Sequence, residues 1–252
     1  MSDFDRNVAA RGGFADRAAA VDAGLRAYML RVYNYMAAAV ALTGVVAYAT
    51  FNAAVVTDAS GKITALTPFG QTIFSGPLSI VLLLGTLGLV FFISFRINRL
   101  QYTTAMTLFM LYAALLGVTL SSIFLAYTGA SITRVFFISA ASFGALSLYG
   151  YTTQRDLSPM GSFMIMGLFG IIIASLVNIF LKSSGLDWAI SVIGIGVFAG
   201  LTAWDTQRIK EMYDSMDDDG TMGRKAIMGA LSLSLDFINL FLMLLRVVGD
   251  RR

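Results

Sequence analysis

The stretch SLSLDFINLFLMLLR, residues 232 to 246, is nearly all apolar yet carries a carboxylate, Asp236, at its centre. A second acid, Asp205, lies in ISVIGIGVFAGLTAWDTQRIK, another apolar stretch. An aspartate at the middle of a membrane-spanning helix costs roughly 2.5 to 3.5 kcal/mol, and ionisable groups inside a span face the bundle interior and mark function. The two acids differ in depth. Counted from Trp188 at about 1.5 Å per residue, Asp205 is roughly 26 Å along its helix, close to Arg208, so it could also reach the interface. Asp236 is about ten residues from both Lys225 and Arg246 and has no easy route to water. It is read as functional, with a helix–helix hydrogen bond as the structural alternative.

Helical spacing adds partners. Ser232, Asp236, Asn239 and Arg246 stand at offsets of −4, 0, +3 and +10, one face of a helix. The helices carrying Asp205 and Asp236 are consecutive, so they are expected to be neighbours. If the acids meet, two like charges in a low-dielectric site resist double ionisation and share a proton. Loss of that proton would part them or admit a cation between them, making a pH-sensitive latch.

The elements that must position these acids are membrane helices. The chain of 252 residues is 57% hydrophobic and 13% charged, with a mean hydropathy of +0.75; soluble domains carry about 25% charged residues. Seven stretches, approximately 32–56, 77–95, 102–126, 133–152, 160–181, 188–206 and 226–248, are long enough to span. The expected architecture is an all-α integral membrane protein, with a polar cytoplasmic segment over residues 1–28 and one seven-helix domain over 29–252. Gly196 and Gly200 have the spacing of a close helix contact. Arg17, Arg26, Arg31, Arg96, Arg99, Arg155, Arg208, Lys210, Arg224 and Lys225 fall on one side if the N-terminus is cytoplasmic, against Lys62, Arg134 and Lys182 opposite. Arg246 and the tail VVGDRR run against that rule, and full crossing by the last helix is the favoured reading.

Several chemistries are excluded. With no cysteine and no histidine, thiolate and imidazole metal sites and histidine acid–base catalysis are absent. EMYDSMDDDGTMG fails as a calcium loop: with Asp217, Asp219 and Gly220 at its third, fifth and sixth positions, the twelfth is Ala226 where a bidentate glutamate belongs. AWDTQ and SLDFI do not match the contexts of aspartyl intramembrane proteases, and GIGVFAG follows no strand. The reading is not an enzyme, and the modest, scattered charge gives no nucleic-acid partner.

LTAWDTQRIKEMY and GALSLSLDFINLFLMLLRVVG resemble the two hallmark segments of the Bax inhibitor-1, or transmembrane Bax inhibitor motif, family. VFFISAASFGALSLYGYTT and GSFMIMGLFGIIIASLVNIF are similar to bacterial members, and the resemblance covers nearly the whole chain from about residue 28. It implies a seven-helix fold with the last helix central, and a pH-dependent calcium leak gated by an aspartate pair matching Asp205 and Asp236. These would contact a passing cation transiently, with Ser232 and Asn239 as the supporting polar face. The family's basic latch residue matches Arg96, with Arg99 close by. One departure bears on the ion path: some relatives carry an acid inside the second helix, and PLSIVLLLGTLGLVFF has none. The expected setting is the inner membrane, with the lipid bilayer and a calcium ion or proton as partners and no bound cofactor. The alternative is a non-transporting regulator that binds other membrane proteins, such as a quality-control protease.

Overall fold

A computed structural model describes the backbone of residues 3–58 and 62–252, and side chains within them from residue 21 onward. Residues 1–2 and the side chains up to residue 20, Arg17 included, lie outside the described residues. Seven helices are long and apolar enough to cross a membrane. They are α1 (Asp3–Ala54), α3 (Pro77–Arg96), α4 (Tyr102–Leu120), α6 (Gly129–Thr152), α7 (Ser158–Leu181), α8 (Ser184–Glu211) and α9 (Asp219–Val248). Short helices α2 (Pro68–Phe74) and α5 (Ile123–Ala126) sit in connections. All three prolines stand in the first turn of a helix, α2, α3 or α7, where the missing N–H costs nothing. α1 continues unbroken through the polar segment into the first span.

The connection after α1 holds the two paired strands among the described residues, a departure from an all-helical reading. β1 (Val55–Thr57) pairs antiparallel with β2 (Ile63–Leu66), Val55 opposite Leu66. Val55, Val56, Thr57, Ile63 and Thr64 are β-branched, and branched side chains favour extended backbone. The hairpin hands over to α2 through Thr67, whose hydroxyl accepts from the Gly70 amide at 3.1 Å.

The last helix is the axis of the bundle. Of the most apolar window of α9, 67% is buried, against 11% for α3 and 6% for α7. It packs on α8, α1, α6, α4 and α3, while α7 leans on α8. Ile227, Leu231, Leu233 and Leu240 of α9 are sealed in one core with Val32, Phe109 and Ile209. Where α6 meets α8, Gly150 lies directly on the Ala203 carbonyl, an approach only a residue without Cβ permits. Gly200 faces Met164 on α7 and Gly196 faces open space, so that pair is not one contact. α9 runs its full 30 residues antiparallel beside α8, and the Arg252 amide donates to the Ala126 carbonyl at 3.0 Å, docking the tail beside α5.

Asp218 starts α9. Its carboxylate accepts from the amides of Gly220 at 3.0 Å and Thr221 at 3.2 Å, and from the Thr221 hydroxyl. The Thr221 hydroxyl first, and its amide second, hold Asp218 below the ordinary carboxylate range. A carboxylate lowered in the fold stabilises above its unfolded value and loses that contribution as pH falls through the folded one. Asp218→Ala should therefore lower the melting temperature at pH 7, with the gap to the parent closing below about pH 4. A gap of equal size at both pH values would show that the carboxylate is not the cap.

Candidate functional site

Seven consecutive residues of α8 reach in different directions and place the site. Trp204 packs its indole against Gly161 of α7, where a side chain would collide with the ring. Asp205 points to α9. The Thr206 hydroxyl meets Ser147 of α6 at 2.9 Å, and Ser147 meets Tyr33 of α1 at 2.6 Å. Gln207 holds the α6–α7 connection: its Nε2 donates to the Arg155 carbonyl at 2.8 Å, and its Oε1 accepts from the Leu157 amide at 2.8 Å. Arg208 turns back along α8 over the Trp204 ring, 4.7 Å from its centre. Ile209 is fully buried, and Lys210 donates to the Tyr151 carbonyl at 2.9 Å. One short segment thereby ties α8 to its neighbours.

The two acids meet. Asp205 is 8% exposed and Asp236 is 5% exposed, and their carboxyl groups stand within hydrogen-bonding reach of each other. Arg208 approaches Asp205 Oδ1 at 2.9 Å, but off the hydrogen-bonding direction, so this is a charge contact. Asp236 Oδ2 is buried and has no hydrogen-bond partner among the described residues. Both acids line a cleft of about 590 Å³ between α7, α8 and α9. Its other wall is aliphatic, from Leu168, Ile172 and Leu176 of α7.

The polar stripe on α9 holds together over most of its length. Ser232, Asp236 and Asn239 all line the cleft. Arg208 reaches Ser232 Oγ at 3.5 Å, and Asn239 donates its Nδ2 to the Leu235 carbonyl at 2.8 Å. Arg246 lies beyond, paired with Asp187 of α8 at 3.5 Å. Arg96 is exposed at the end of α3, its guanidinium makes no ion pair or hydrogen bond among the described residues, and it does not line the cleft. The guanidinium at the acid pair is that of Arg208. Sequence reasoning used Arg208 as a marker of depth and orientation and not as a partner of the acids; its i,i+3 spacing from Asp205 was the available signal. In the acidic loop, Asp217 bonds Lys225 at 2.5 Å and Asp218 is the α9 cap.

A bundle of seven apolar helices, six of them around the seventh, with two abutting buried carboxylates, defines a polytopic membrane protein with an intramembrane acid pair. The chain belongs to the family described as inhibitor of apoptosis-promoting Bax1, whose model matches residues 25–252. It is 52% identical over 231 residues to an uncharacterized Rickettsia prowazekii protein, covering 92% of each chain. It is 48% identical over 232 residues to the inner membrane protein YbhL of Escherichia coli, covering 91% of this chain and 94% of that one. A Caulobacter vibrioides protein is 42% identical over 259 residues and matched along its whole length.

Proposed function

We propose that the chain is a pH-sensitive cation leak channel of the inner membrane, with calcium as the ion and its N-terminus in the cytoplasm. The observation that carries this is the pair Asp205–Asp236, buried side by side in a cleft with Arg208 as counter-charge to one member. Two abutting carboxylates cannot both ionise comfortably away from water, so the pair keeps one proton between them. Acid then holds the pair together and the path closed. Alkali removes the shared proton, and the two negative charges repel or take a cation between them.

Two further features support the reading. The basic residues near the Arg208 end of the helices, among them Arg26, Arg96, Arg155 and Lys210, fit a cytoplasmic face. Arg96 is exposed on a helix that is only 11% buried in its apolar window, so little packing holds α3 back from carrying a cation to the acids in another state. The test is calcium entry into proteoliposomes containing only this protein, from about pH 5 to 8. Flux that rises as pH rises, with that dependence lost in Asp205→Asn and Asp236→Asn, is the expected result. No flux at any pH from folded protein would overturn the channel and favour a regulator that binds other membrane proteins.

A further inference from the structure

A second cavity lies away from the acids. α1 and α6 both pack on α9 but splay from each other, and between them is a groove of about 620 Å³, within the range of ligand pockets. It shares no lining residue with the acid cleft. Its walls are Met29 and Leu30 of α1 and Phe143 and Leu148 of α6. Leu30 and Leu148 are exposed beside it, so the groove opens sideways, where acyl chains would lie. Its floor is polar: the bonded hydroxyls of Tyr33 and Ser147.

The mouth is cationic. Arg26 lines it, is exposed, and makes no ion pair among the described residues, not even with Asp22 one turn before it. Tyr151, also at the mouth, carries the Lys210 ammonium over its ring at 5.5 Å, and Lys210 likewise has no carboxylate partner. An apolar trough open to the bilayer, a hydroxyl floor, the guanidinium of Arg26 at the mouth and the Lys210 ammonium behind Tyr151, held by a carbonyl and by no carboxylate among the described residues, match an amphiphile with an anionic head. We infer that this groove seats one anionic phospholipid from the leaflet at the Arg208 end, its phosphate between Arg26 and Lys210 and one acyl chain against Phe143 and Leu148. A zwitterionic lipid carries its own cation and gains less from these two charges. Basic residues at a membrane surface contribute about fivefold each in affinity for anionic lipid.

The structure supplies a plug. Gly144 lines the groove, and a Cβ there meets nothing within 4 Å, so the side chain of Gly144→Leu starts into open space in the trough. Gly88, on α3 and equally open, is the control position. The experiment is native mass spectrometry of the detergent-solubilised protein, titrated with phosphatidylglycerol or phosphatidylcholine of the same acyl chains. One phosphatidylglycerol per chain should be retained, about tenfold more tightly than phosphatidylcholine. Arg26→Gln should weaken it about fivefold, Gly144→Leu should abolish the retained lipid, and Gly88→Leu should change nothing. Equal retention of the two lipids by the parent, or undiminished retention in Arg26→Gln, would overturn the inference. Displacement by millimolar glycerol phosphate would assign the site to a soluble anion and overturn the lipid. If Gly144→Leu does not melt as a folded protein, the exposed Arg26 variant decides alone.

Discussion

Calcium entry through Asp236→Asn should be flat between about pH 5 and 8, while Arg208→Gln should keep a pH response with its midpoint moved toward alkali. The asymmetry follows from the site. Asn fills the space of Asp236 but removes one acid, so Asp205 is left in an ordinary ion pair with Arg208 and has no partner with which to share a proton. The coupled titration that would place a transition in this range is gone. Arg208→Gln leaves both acids and removes the cation 2.9 Å from Asp205. An opposite charge at that distance favours the ionised form, and partial exposure of the Arg208 side chain, 43%, weakens the effect without removing it. Without the cation the pair ionises less readily, so opening needs a higher pH. Stopped-flow measurement with a calcium dye inside proteoliposomes reads both quantities. A shift of the Arg208→Gln midpoint toward acid would contradict the assignment of Arg208 as counter-charge.

The second large effect concerns assembly. Gly150→Ala and Gly144→Ala, six residues apart on α6, should have opposite signs. At Gly150 the new methyl falls on the Ala203 backbone carbonyl, which cannot rotate away, so α6 and α8 must separate. Overpacking of this kind costs about 1 to 3 kcal/mol, and separation also strains the Ser147–Thr206 bond nearby. At Gly144 a methyl meets nothing, and replacing a helical glycine by alanine gains about 0.5 to 1 kcal/mol. Thermal unfolding in detergent should show Gly150→Ala melting lower than the parent and Gly144→Ala melting no lower. Equal melting of the two variants would mean that the α6–α8 approach is not as close as described.

How much of this was readable beforehand depended on whether a residue broke the apolar background. Asp236 did, because a carboxylate ten residues from the nearest charge has no easy route to water, and its stripe with Ser232 and Asn239 lines one cleft as helical spacing indicates. Asp205 did so less clearly, since depth alone left it free to reach the interface; the structure turns it inward at 8% exposure. Tyr33, Ser147 and Thr206 were silent. Hydroxyls are unremarkable in membrane helices, and these join across 114 and 59 residues of sequence. Gly150 was silent for a similar reason, because only the path of α8 distinguishes it from Gly144. The β1–β2 hairpin escaped because strands of three and four residues are too short for periodicity to separate from a helix end.

The central position of α9 bears on how the protein is made. α9 is translated after the other six spanning helices, yet it occupies the middle of the finished bundle and carries the most deeply placed acid. Waiting alone in lipid, its aspartate would cost roughly 2.5 to 3.5 kcal/mol. Before it arrives, the inward faces of α1, α4, α6 and α8 have no partner, and the Asp205 carboxylate looks into an empty axis. The six earlier helices must therefore hold a slot open in the bilayer and receive a helix whose polar stripe has one acceptable orientation. The nascent protein thus leaves the most inward-facing helix surface unpartnered late, between the entry of α8 and the docking of α9.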